Sequence, residues 1–160
     1  MRIIGIDPGL SNVGWAILEK RNSDIIYLTS GAIKTNPKDD TSIRLATIFS
    51  ALNEFVREYK PDLASLEETF VNTNPRSSLI LGQARGVIMA SIGLANLKLL
   101  EFAPNTIKKA IVGNGKAEKE QVMKMLKFVI PNVVFRSNDE ADAIAIAYTG
   151  LVSSNNFISK

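Results

Sequence analysis

The sequence contains neither cysteine nor histidine. Without cysteine there are no disulfides, no zinc–thiolate sites and no thiol nucleophile. Such a composition suits a reducing compartment, and a cytoplasmic location is expected. Without histidine the commonest general base is missing, so Ser–His and Cys–His mechanisms are excluded. No apolar run reaches the length of a membrane span, and the N-terminus lacks the basic segment, apolar stretch and small-residue cleavage site of a signal peptide. At 160 residues, 46% hydrophobic and 22% charged, the chain is long enough for one soluble domain with a substantial core. A short polar tail is expected from about residue 152.

Four acids stand at the ends of apolar segments. Asp7 ends the run Arg2-Ile-Ile-Gly-Ile6, and Glu67 follows Leu63-Ala-Ser-Leu66. Asp139 and Asp142 stand at the opening of Ala141-Asp-Ala-Ile-Ala-Ile-Ala147. A carboxylate beside a core-forming segment is costly to bury unless a cation neutralises it. Four of them, with no nitrogen or sulfur ligand available, point to hard divalent metals bound through oxygen and to metal-assisted phosphate chemistry. The net charge is only +3, but six lysines (108, 109, 116, 119, 124 and 127) face two acids, Glu118 and Glu120, within one segment. Such a positive field beside an acidic site fits a polyanionic substrate, although a solvated helix face would read the same way.

Short β-branched segments at Arg2–Asp7, Val13–Leu18 and Ile25–Ile33, separated by turn residues, predict an antiparallel meander. Helical spacing of apolar residues predicts a helix from about Thr41 to Tyr59, followed after Pro61 by a strand at Leu63–Glu67. Asn74-Pro75 is an N-cap with proline at the first helical position, opening a helix to about Leu94. A strand at Leu97–Phe102 and helices at Pro104–Val112 and Glu118–Val129 follow. Ser137-Asn-Asp-Glu140 reads as a capping box that opens a last helix through about Leu151. This order argues one α/β sheet covered on both faces.

Each acid has a plainer reading. Asp139 and Glu140 suit a helix N-terminus through the dipole, which explains Asp142 less well because it begins a core-facing pattern. Asp7-Pro-Gly9 is a common turn. Glu67 and Glu68 point to opposite faces of a strand, and periodicity does not say which enters a site. Phe70 reads as a core phenylalanine. Gly82 and Gly86, unfavourable by about 1 kcal/mol each in mid-helix, suggest close packing.

Five motifs occur in order: Ile3-Ile-Gly-Ile-Asp-Pro-Gly9, Leu66-Glu-Glu-Thr-Phe70, Leu81-Gly-Gln-Ala-Arg-Gly86, Ala117-Glu-Lys119 and Asp139-Glu-Ala-Asp-Ala143. Together they resemble the bacterial Holliday-junction resolvases of the ribonuclease H-like nuclease family. That resemblance implies a five-stranded mixed sheet flanked by helices on both faces. It implies that Asp7, Glu67 (rather than Glu68), Asp139 and Asp142 bind metal, with Asp139 the least constrained because some relatives carry histidine there. It also implies that Lys108 and Lys119 act at the scissile phosphates and that Phe70 stacks on junction bases. Arg76 and Arg85 are further candidates for DNA contact. The expected activity is Mg2+-dependent hydrolysis of DNA at four-way junctions in recombination and repair. Two ions per site are expected, with Mn2+ able to substitute, and the enzyme is expected to be a homodimer joined through the 74–94 helix. The resemblance further implies cooperation with a branch-migration helicase complex, RuvA and RuvB. From the residues alone, a hybrid-cleaving ribonuclease, an actin-like nucleotide binder and a non-catalytic junction-binding module stay open.

Overall fold

The computed structural model describes residues 1–68 and 74–154. Five strands form one sheet in the order β3-β2-β1-β4-β5. β1 (Arg2–Asp7), β2 (Asn12–Arg21) and β3 (Asp24–Lys34) make the expected antiparallel meander. β4 (Leu63–Glu67) and β5 (Lys98–Phe102) add to the other side of β1 in parallel. The β2–β3 hairpin is longer than its apolar runs suggested. Its polar ends stay paired up to Arg21–Asp24, where Asn22 turns the chain at a φ of 56°.

The helices divide between the two faces. α1 (Thr41–Tyr59) and α2 (Pro75–Leu94) pack on the face carrying Ile4, Ile6, Ile17, Ala64 and Leu66. α3 (Pro104–Val112), α4 (Lys119–Val129) and α5 (Asn138–Ser154) cover the face carrying Ile3, Ala16 and Leu18. Alternation along β1 therefore assigns Ile3, Gly5 and Asp7 to the α5 face, and in β4 it assigns Leu63, Ser65 and Glu67 to the same face. The Ser65 hydroxyl donates to the Ile146 carbonyl of α5 at 3.1 Å.

Two expectations need correction. α5 continues one turn past Leu151, and the Ser154 hydroxyl is buried and donates to the Leu151 carbonyl at 2.7 Å. The polar residues from 152 are therefore the helix end and not yet a tail. α2 is also long and apolar enough to cross a membrane by length and composition, with a mean hydropathy of 1.3 over its best window. Here one side of it lies on the sheet, and Asn74 caps it by accepting from the Arg76 and Ser77 amides as its sequence predicts.

α5 approaches the sheet closely where glycines leave room for it. A Cβ on Gly5 would stand 2.4 Å from the Ala143 carbonyl oxygen, and one on Gly14 would stand 2.1 Å from that of Asp139. Gly14→Ala must push the first turn of α5 off β2, an overpacking expected to cost about 1–3 kcal/mol. Urea denaturation of the variant against wild type measures it, and an unchanged midpoint would show that the turn moves freely.

Candidate active site

Asp7 and Glu67 end neighbouring parallel strands, one residue beyond the Ile6–Leu66 pair. Adjacent strands lie about 4.8 Å apart, so both carboxylates rise from the same sheet end on the same face. Asp7 is paired across the ladder with Gly14, and the Asp139 backbone rests on Gly14. The first turn of α5 is thereby set down beside Asp7. Asp142, three residues on, leaves the same side of the helix as Asp139. The Asp142 carboxylate meets the Lys119 ammonium at 2.6 Å. A cavity of about 230 Å3 beside it is lined by Glu67, Lys108, Lys119 and Asp142 above an apolar floor that includes Ile107, Val122 and Ile146.

The electrostatics are those of an acid cluster short of positive charge. Burial pushes the Asp7 carboxyl up to about 7 from its ordinary value of 3.8, and repulsion from Asp142, Glu67 and Asp139 adds to the rise. Lys119 opposes it. Glu67 is also raised, first by burial and then by Asp142, against the pull of Lys108 and Lys119. Among the described residues no three acids close into a ready-made ligand set.

The start of α5 is fixed from its other side. The Glu140 amide takes the Ser137 hydroxyl as its cap at 3.2 Å, which is half of the expected box. The Glu140 carboxylate, instead of returning to the Ser137 amide, is buried and accepts from the Ser30 hydroxyl of β3 at 3.0 Å. Only its place three residues after the cap marked Glu140 in the sequence, and its link to β3 spans 110 positions. Arg85 turns inward, donating to the Glu67 carbonyl and pairing with Glu101. Arg76 is exposed at the start of α2. Phe70 lies outside the described residues. Glu68 stands just past β4, its amide donating to the Phe102 carbonyl at 2.9 Å.

A mixed sheet of this order, with acids at the ends of its central strands and on the helix that crosses them, defines the class of ribonuclease H-like nucleases. Within that class the match is close. The family model of crossover junction endodeoxyribonuclease RuvC matches residues 3–150, and the chain belongs to the RuvC family. It is 53% identical to the crossover junction endodeoxyribonuclease RuvC of Rickettsia massiliae, over 97% of this chain and 99% of that one. It is 51% identical to the protein of the same description from Rickettsia bellii, with the same coverage. The structure superposes on T. thermophilus RuvC in complex with a Holliday junction substrate with a TM-score of 0.92 at 25% identity, covering 98% of this chain and 96% of that one.

Proposed function

We propose that this protein is a structure-selective endonuclease that resolves four-way DNA junctions by divalent-metal-dependent phosphodiester hydrolysis. The observation that carries the proposal is the convergence of Asp7, Glu67, Asp139 and Asp142 at one end of the sheet, with Lys108 and Lys119 facing them across an open cavity. The donor set fits hard cations. It offers carboxylate oxygens only, and the most buried member, Asp7, has three acids raising its pKa and one lysine lowering it. Asp7, Glu67, Asp142 and Asp139 would hold two Mg2+ ions, for which Mn2+ could stand in. Bound there, the ions supply the acidified water and the charge neutralisation that in-line displacement at phosphorus needs.

The chain's own groups do the rest. Asp7 must give up a proton that burial and its acidic neighbours hold to near neutrality, so the acids become fully competent ligands only as that proton leaves. Lys119, paired with Asp142 in the free site, is within reach of a phosphate entering the cavity, and Lys108 lines its other side. Both would stabilise negative charge developing on the phosphate oxygens. Glu67 and Asp7, fixed on adjacent strands, set where the scissile bond must lie.

Two-fold cleavage requires two such sites, and α2 offers a surface for a second copy. Leu79 is 66% exposed and Leu94 is 71% exposed, while a Cβ added at Gly82, Gly86 or Gly93 would meet nothing within 4 Å from elsewhere among the described residues. The close packing expected of Gly82 and Gly86 is thus not made among the described residues, and an isologous homodimer would provide it. The expected result is a dimer by sedimentation that nicks opposed strands of a synthetic four-way junction in Mg2+ or Mn2+. It should be inactive in chelator and should spare linear duplex and RNA–DNA hybrid. Preferential cleavage of the hybrid would replace this reading with a ribonuclease. Cooperation with the RuvA–RuvB branch-migration complex belongs to the same proposal.

A further inference from the structure

Arg85 sits on α2 between two glycines, yet its guanidinium points away from the exposed apolar surface. One nitrogen donates to the Glu67 carbonyl at 2.5 Å and the other pairs with the Glu101 carboxylate. The Arg85 side chain is only 16% exposed, and that of Glu101 is 36% exposed. Glu101 is opposite Leu66 in the β4–β5 ladder and, by alternation, faces α2 as Leu66 does. Arg85 therefore ties three elements together at one point: the middle of α2, the last residue of β4 and the side of β5.

The carbonyl it holds has particular leverage. Glu67 lies one residue past the last β1–β4 pair, where the ladder no longer fixes the peptide on that side. On the β5 side the following amide, Glu68, is held by the Phe102 carbonyl at 2.9 Å. The peptide joining Glu67 to Glu68 is thus clamped at both its polar atoms, by β5 through the N–H and by Arg85 through the oxygen. Fixing that plane restricts the backbone torsion that aims the Glu67 side chain. The carboxylate itself faces the opposite side of the sheet, toward Asp142, Lys108 and Lys119. An arginine suits the task because its planar fork engages a carbonyl and a carboxylate together, which a lysine ammonium cannot do with the same geometry.

We propose that Arg85 is a positioning residue for Glu67, acting through the Glu67 backbone and braced by Glu101, and not a DNA contact. The proposal rests on the assignment of Glu67 to the catalytic site, and its test separates the two. Arg85→Gln and Arg85→Lys, with Glu101→Gln as a milder lesion, are compared for junction affinity, single-turnover cleavage and crystal structure. Cleavage by Arg85→Gln is expected to fall between about tenfold and a hundredfold, the scale of a misplacement of about 1 Å. Arg85→Lys should recover only part of it, and Glu101→Gln should lie between Arg85→Lys and wild type. Junction affinity and its salt dependence should stay at wild-type values, and the Glu67 peptide and side chain should be displaced in the Arg85→Gln crystal. Weaker binding with a salt slope shallower by about one would make Arg85 a phosphate contact and overturn the proposal. So would wild-type cleavage per folded molecule, whatever the melting temperature. Should wild type cleave no junction, the functional reading fails, and the position of Glu67 in the variant crystal still decides this one: unmoved, it overturns the positioning role.

Discussion

Asp7→Asn, Glu67→Gln and Asp142→Asn are each expected to lower junction cleavage by at least about a hundredfold, the scale of removing one preorganised charge-stabilising group. Each keeps the side-chain shape while removing the charge that would hold a cation. Junction affinity should survive and can tighten, because an uncompensated carboxylate repels the phosphates it faces. The reasoning extends to Asp139→Asn with a smaller expected loss, since Asp139 also stands at the α5 N-terminus, where an acid serves the helix dipole. Glu68→Gln is the control. It lies just past β4 and outside the Leu63–Ser65–Glu67 alternation that faces α5, so its rate should stay close to wild type. Single-turnover cleavage and equilibrium junction binding on the same preparations distinguish the outcomes. A silent Glu67→Gln beside an inactive Glu68→Gln would mean that the strand alternation is reversed.

The same carboxylates should govern stability in the absence of divalent ions. In the unfolded chain Asp7 releases its proton near its ordinary value of 3.8, whereas in the fold it keeps the proton up to about 7. Between those limits the folded state holds the extra proton, so raising the pH favours the unfolded state. Wild type in chelator is therefore expected to lose stability as pH rises from about 4 to about 7, with the loss complete above that window. Glu67, raised in the same sense, adds to it. A displacement of about three pH units corresponds to at most roughly 4 kcal/mol. Asp7→Asn should remove most of this dependence and be the more stable protein at pH 8. Urea denaturation of both proteins at pH 5 and pH 8 reads the difference, in which groups common to both cancel. Adding Mg2+ at pH 8 should restore wild type far more than the variant, by mass action on the folded state. Parallel pH profiles for the two proteins would show that Asp7 carries no such burden.

Much of this arrangement was legible in the residues. Turn chemistry and apolar spacing located the ten elements of the described residues, and the placing of acids at segment ends pointed to one sheet edge. What stayed open had physical causes. β4 is a central strand flanked by parallel partners, buried on both faces at Ala64, Ser65 and Leu66, so it lacks the polar alternation that would have oriented Glu67 against Glu68. Glycine inside a strand or a helix suggests that something approaches closely but not what. For Gly5 and Gly14 the approaching element is α5, whereas at Gly82 and Gly86 nothing among the described residues fills the space a Cβ would take. The aim of Arg85 depends on a backbone oxygen 18 residues away, which leaves no mark on local composition. The Glu140 carboxylate looked like half of a capping box because the sequence cannot show β3 lying beside it.

The dependence of the site on α5 bears on how the chain is made. Asp7 lies on β1, whereas Asp139 and Asp142, its partners in the proposed site, lie on α5, which is seated on Gly5 and Gly14. A nascent chain can pair β1 with β2 and β3 early, because those contacts are local. The proposed site cannot close until β1 has met α5 from the far side of the described sequence, the slow kind of contact in folding. A chain made only as far as β5 would carry the five strands with Asp7 and Glu67 but neither acid of α5. Under the proposed function, this order of the acids would withhold DNA cleavage until α5 has docked on β1.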